Sequence, residues 1–220
     1  MLRWFLVLLF AMTLAACGGM PNGGGSTLQA AAVMPAPHPV GAGDYCAALP
    51  APAAQPFWDN FCNTEAQPVT VALTPERWDE LAAVQHQVDA SIAYGSAYSW
   101  DPLASIGDCK TYSAATALAL LDRGWPAGAL RIATAFVNDG SAQQGASHAV
   151  VLVDTDKGTI VLDSRQAGPL PWESLSYIWL SAEVPGGHGS WNLLTTDVAQ
   201  LRTALLANLA SHRREQLAFR

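Results

Sequence analysis

Gly107-Asp108-Cys109-Lys110-Thr111-Tyr112-Ser113-Ala114-Ala115-Thr116-Ala117-Leu118-Ala119-Leu120-Leu121-Asp122-Arg123-Gly124-Trp125-Pro126 is the stretch on which the fold turns. Ala114, Ala115, Ala117, Leu118, Ala119, Leu120 and Leu121 leave almost no polar face over four turns, so the helix from about Cys109 to Arg123 belongs inside a domain. Asp108 is a good N-cap, and Gly124 with Pro126 stops the helix. Cys109 therefore falls in the first turn of a buried helix.

Outward from this helix the pattern changes period. Upstream, Thr74-Pro75-Glu76 has the form of a helix start, and Trp78, Leu81, Val84, Val88 and Ile92 recur on one face up to Gly95. A loop with Tyr98, Trp100 and Pro102 leads back to Asp108. Downstream, Leu130 to Val137, His148 to Val153 and Thr159 to Asp163 read as strands, the last two joined by the turn composition Asp154-Thr155-Asp156-Lys157-Gly158. Trp172 to Leu180 offers a further strand, and Thr196-Asp197 caps a closing helix with Val198, Leu201, Leu205 and Leu209 inward. One buried helix, an antiparallel sheet and surrounding helices predict an α+β fold.

Three residues of this frame suit nucleophilic chemistry. A thiol at a helix N-terminus is biased toward thiolate, and the same N–H groups suit the oxyanion of an attacked carbonyl. A free cysteine is also commonly no more than a small core residue. His148 opens one strand and is the type of base a thiol needs; Asp163 ends the next and can hold the second ring nitrogen. Alternatively, they are a satisfied polar group and a turn residue. Parity links them: a turn of two residues (Thr155-Asp156) or four (Asp154 to Lys157) sets His148 opposite Asp163, with Cβ atoms ~5 Å apart. A three-residue turn sends them to opposite faces.

The N-terminal residues belong to export. Met1-Leu2-Arg3 precedes an apolar run from Trp4 to Leu14, too short to span a bilayer as a helix and suited to a signal peptide over residues 1–16. Leu14-Ala15-Ala16-Cys17 resembles the bacterial lipobox, which makes Cys17 the lipidation candidate, and Gly18 resembles lipoproteins sorted to the outer membrane, facing the periplasm. An ordinary signal cut near Ala16 is the simpler alternative. Residues 17–56, with Gly23-Gly24-Gly25-Ser26 and many prolines, form a tether, and residues 57–220 are the length of one domain. Of the four cysteines, Cys46 and Cys62 suit a disulfide in an exported chain, which leaves Cys109 unpaired. A net charge of −7 argues against a nucleic-acid partner.

Gly107-Asp108-Cys109-Lys110-Thr111-Tyr112-Ser113-Ala114, Leu130-Arg131-Ile132, His148-Ala149-Val150-Val151-Leu152 and Val161-Leu162-Asp163 resemble the bacterial transglutaminase-like cysteine proteinases, over about residues 70 to 195. Trp100 ahead of the cysteine and Trp191-Asn192 belong to the same match. The resemblance implies a papain-like core and thiol-dependent hydrolysis of peptide bonds in periplasmic or surface proteins, with a surface adhesin as the family's substrate. It implies Cys109 as nucleophile, His148 as base, Asp163 as the orienting residue, and Trp100 and Asp108 on the substrate side. Members of the family follow the cysteine with two acidic residues that help bind calcium; here Lys110 and Thr111 stand there. A lysine opposes a hard cation. No calcium and no other cofactor are therefore expected. No pair of His or Cys residues has zinc-ligand spacing. Two other functions use the same residues. One is acyl transfer to an amine through the same thioester; the other is a tethered domain that binds peptide without cleaving it.

Overall fold

The structure is a computed structural model that describes residues 67–95, 100–141, 143–195 and 197–218. The signal segment, Cys17, the tether, Cys46, Cys62 and Tyr98 lie outside the described residues. Helix α1 (Pro75–Ser91) begins as the sequence predicts, with Thr74 Oγ1 accepting from Arg77 N and proline in the first turn. Leu81, Val84 and Val88 are buried on its inner face, and so is Gln85. The helix stops at Ser91 rather than near Gly95, because Ile92 turns extended and the chain enters a short parallel pair, β1 (Ala93–Tyr94) with β2 (Ile106–Gly107).

Helix α2 (Cys109–Asp122) is the buried central helix. It closes with Gly124 at φ 78°, Gly124 N donating to Leu121 O and Trp125 N to Leu120 O, the paired bonds of a glycine-terminated helix. Ala114, Ala117 and Leu120 are fully buried in a cluster with Leu81, Val84, Ile132, Val151 and Leu162, which fills the space between the helices and the sheet.

The sheet has six strands in the order β6-β5-β4-β3-β7-β8, each antiparallel to its neighbour. These are β3 (Leu130–Val137), β4 (Ser147–Thr155), β5 (Gly158–Leu162), β6 (Leu170–Pro171), β7 (Tyr177–Val184) and β8 (Gly187–Leu193). Every residue of β3 and β5, and all of β4 after Ser147, is buried. A second cluster with Val150, Leu152, Val161 and Trp179 occupies the sheet face away from α2. The architecture is α+β, as the sequence pattern predicts.

Two expectations are corrected. Asp154 is not a turn residue: it accepts from Arg131 Nε at 2.7 Å and Nη2 at 2.6 Å, both buried in the sheet. The strands therefore continue until Thr155 faces Gly158, and the turn is Asp156-Lys157. His148 is accordingly not directly opposite Asp163, which follows the last residue of β5. The closing helix α3 (Val198–Ala218) is capped by Asp197 Oδ1, but Leu205 and Leu209 are exposed. Its inner face carries buried Ala204 and Asn208, which donates to Gly145 O; small residues there let the helix lie close to the neighbouring backbone.

Candidate active site

Cys109 is the first residue of α2 and is half-buried. Asp108 takes extended backbone and caps the helix, Oδ1 accepting from Lys110 N at 3.0 Å while Oδ2 pairs with the Lys110 ammonium. Gly107 is required by packing, since a Cβ there would sit 2.2 Å from Thr111 Oγ1. Lys110 N is taken by this cap, and the thiol sits at the positive end of the helix dipole.

His148, the second residue of β4, is buried and bonds Asp163 Oδ1 through Nε2 at 2.7 Å. The Cys109 side chain lies close enough to the imidazole to raise its pKa. With Nε2 committed to Asp163, the nitrogen that serves the thiol is Nδ1. The structure thus brings together three side chains far apart in the sequence, from the start of α2, the start of β4 and the end of β5.

The electrostatics favour the charged form of the pair. Burial drives the His148 pKa down, but the hydrogen bonds and negative charge of Asp163 and Cys109 more than offset it, and the value rises to about 9. Burial likewise pushes the Asp163 carboxyl up. The bonds from His148, Tyr177 and Arg165 N outweigh that and hold it below the ordinary carboxylate range.

Several residues of this site escape the sequence reading. Tyr177 Oη donates to Asp163 Oδ2 at 2.5 Å, and Arg165 N donates to Oδ1 at 2.8 Å. Gln85 Nε2 donates to Asp163 O and to Gln166 O, both at 2.8 Å, fixing the turn that carries the carboxylate. Gln85 had a weak signal, a polar side chain within the apolar face of α1; Tyr177 and Arg165 had none. Arg165 Nη2 reaches back to Asp139 Oδ2 at 2.8 Å. Hydrogen bonds from the side chain and backbone of Ser141, with this guanidinium, bring the Asp139 carboxyl down to about 2.

Trp100 and Asp108 are placed differently. Trp100 is buried in the same apolar cluster that Cys109 packs against. Both carboxylate oxygens of Asp108 are engaged by Lys110.

Comparison with known proteins supplies the family context. The model of the bacterial transglutaminase-like cysteine proteinase family matches residues 35–198, which takes in part of the Pro-rich stretch ahead of residue 57. Among solved structures, EGTA-treated Legionella pneumophila LapG is similar, at 19% identity and a TM-score of 0.39. That match covers 47% of this chain and 61% of LapG, so the chain spans under two thirds of the protein it resembles. The calcium-bound form of LapG matches at 17% identity, 50% and 71% coverage and a TM-score of 0.37. No curated protein matches.

Proposed function

Because the chain belongs to the bacterial transglutaminase-like cysteine proteinase family, a family of cysteine peptidases, we propose that Cys109, His148 and Asp163 are a catalytic triad that hydrolyses peptide bonds. The observation that carries this reading is one imidazole bonded to a buried carboxylate and electrostatically coupled to a thiol at a helix N-terminus. The Cys109 thiolate attacks the peptide carbonyl carbon, and the oxyanion that forms lies at the positive N-terminal end of α2. His148 gives its proton to the leaving amine, the C–N bond breaks, and a thioester remains. The neutral imidazole then takes a proton from water, the hydroxide adds to the thioester, and the carboxylic acid leaves as the thiolate reforms. Asp163 holds the ring throughout and stabilises the imidazolium. Trp100, in the apolar cluster against which Cys109 packs, contributes to the substrate side, and Asp108 orders that side as the helix cap.

Calcium, present in one LapG structure, does not suit the residues beside this cysteine. Both oxygens of Asp108 are occupied, one of them by an ammonium, and Thr111 is fully buried. A hard cation needs several free oxygens.

The substrate is a polypeptide of the cell envelope, a surface adhesin by the family resemblance. The site is carried by a domain over residues 57–220, held to the periplasmic face of the outer membrane through lipidated Cys17, with Cys46 and Cys62 as a disulfide. The test compares new protein N-termini in the envelope of cells making the wild type or Cys109→Ala. N-termini that require Cys109 are expected; amine-modified side chains in their place would point to acyl transfer, and no difference would overturn both chemistries. In the same fractions, Cys17→Ser should leave the membrane, and its retention at wild-type level with normal processing would sink the anchor.

A further inference from the structure

We propose that Tyr177 is a positioning residue of this site, its hydroxyl holding the Asp163 carboxylate in the one orientation that presents Oδ1 to His148. The inference rests on the triad reading and adds a fourth member to it.

A carboxylate at the end of a short side chain turns about two single bonds unless both oxygens are held. Asp163 Oδ1 is shared by His148 Nε2 and Arg165 N. Were Oδ2 not held, the carboxylate could rock about that shared oxygen and lengthen the bond to the ring. Tyr177 Oη supplies the missing constraint at 2.5 Å. It comes from a rigid element: Tyr177 opens β7, its backbone pairs with Val137, and its N–H donates to Leu175 O. Its ring stands edge-on to His148 at 5.9 Å and to Trp179 at 5.6 Å, so one side chain touches two members of the triad.

The hydroxyl acts as a permanent donor. Burial and the adjacent Asp163 charge push its pKa well above the ordinary phenol value, so it keeps its proton at every working pH. Other ionisable groups face the cluster: Cys109 across the ring from α2, Arg165 beside the phenol, Asp139 behind Arg165, and Asp89 with His86 on α1. Of these, Arg165 reaches Asp163 through its backbone N–H, and Tyr177 holds the second oxygen.

The experiment measures the rate at which iodoacetamide alkylates Cys109 in the full-length protein as a function of pH, by mass spectrometry of the Cys109 peptide. The wild type should show two steps, formation of the thiolate and, at higher pH, loss of the His148 proton; His148→Ala should lose the second. Tyr177→Phe keeps the ring contacts and removes only the oxygen. It should move the second step down by about one pH unit, the size of one hydrogen bond to a charged group. Trp179→Phe disturbs the packing of the same ring with the hydroxyl intact, and should leave the second step in place. A Tyr177→Phe profile that coincides with wild type overturns the role of the hydroxyl while leaving the triad standing. The same downward shift in both variants assigns the effect to packing and overturns it too. A wild type with no second step, or a His148→Ala profile identical to it, removes the triad itself and this proposal with it.

Discussion

Strand β4 carries an ionic contact near each end, and the two are built for different ends. At Asp154 the partner is Arg131, bonded through two nitrogens, with Thr159 Oγ1 donating to the same carboxylate at 2.9 Å. At His148 the partner is Asp163, tied in turn to Tyr177 and Arg165. Both pairs are buried. The difference lies in what can change. A guanidinium stays charged at any accessible pH, so the Arg131 pair can only fix the alignment of β3 and β4. An imidazole gains and loses a proton, and this one does so near pH 9, with a thiol on its other side. A buried charge that cannot titrate serves the sheet; one that can titrate suits the proposed reaction.

Breaking each pair should therefore give opposite phenotypes. Cys109→Ala and His148→Ala are expected to cost roughly 10⁴-fold or more in turnover, since a nucleophile and its base fail together. Cys109→Ala should melt near wild type, and His148→Ala should lose only the stability that its pair with Asp163 supplies, on the order of 1–3 kcal/mol. Asp163→Asn should keep some activity, because the residue orients rather than reacts. Turnover by Cys109→Ala at the wild-type rate would end the thiol mechanism. Asp154→Ala should do the reverse, destabilising the fold by about 3–5 kcal/mol because the buried Arg131 guanidinium loses both of its bonds to that carboxylate. That corresponds to a fall in Tm of roughly 10 °C for a domain of this size. Activity per folded molecule should be retained at low temperature; a selective loss of activity at full stability would erase the distinction.

The pH dependence of stability sharpens the same contrast. His148 has a folded pKa raised above its unfolded value, so its contribution is fully present below about 6.5 and is lost as pH rises through about 9. Asp163, lowered by folding, contributes above about 3.9 and loses that contribution as pH falls through its folded value. Thermal melts of the wild type and His148→Gln should thus converge between pH 6.5 and 9, by an amount on the order of 1–3 kcal/mol. Parallel melting curves across that window would place the proton elsewhere.

The same comparison explains what was legible in the sequence. Both helix starts and the end of α2 were readable because caps, proline and glycine act within a few residues of themselves. An even turn was readable, and the turn is the two residues Asp156-Lys157. The register was not, because Asp154 has the composition of a turn residue and its partner Arg131 lies on another strand. Tyr177 was invisible for the same reason, and Gln85 showed only as a polar residue on an apolar face: their bonds to Asp163 join positions 14 and 78 residues apart. The closing helix misled because amphipathicity favours leucine inward, whereas its inner face carries Ala204.

The smallest expected effect concerns the cap of α2, where a third charged pair, Lys110 with Asp108, lies beside the thiol. It is less buried than the other two. Chelation should leave the activity unchanged, because the ammonium already neutralises the one carboxylate in that turn. The positive charge also favours an anion at the neighbouring sulfur, since opposite charges a few ångströms apart in a partly buried site are only weakly screened. Lys110→Glu places two carboxylates side by side at the same point. In calcium-free buffer this should slow alkylation of Cys109 near neutral pH several-fold, and Lys110→Gln should fall between that variant and the wild type. Equal rates in all three would mean that solvent screens the pair from the sulfur. Strong inhibition of the wild type by a chelator, reversed by added calcium, would show that a metal is held through ligands other than Asp108.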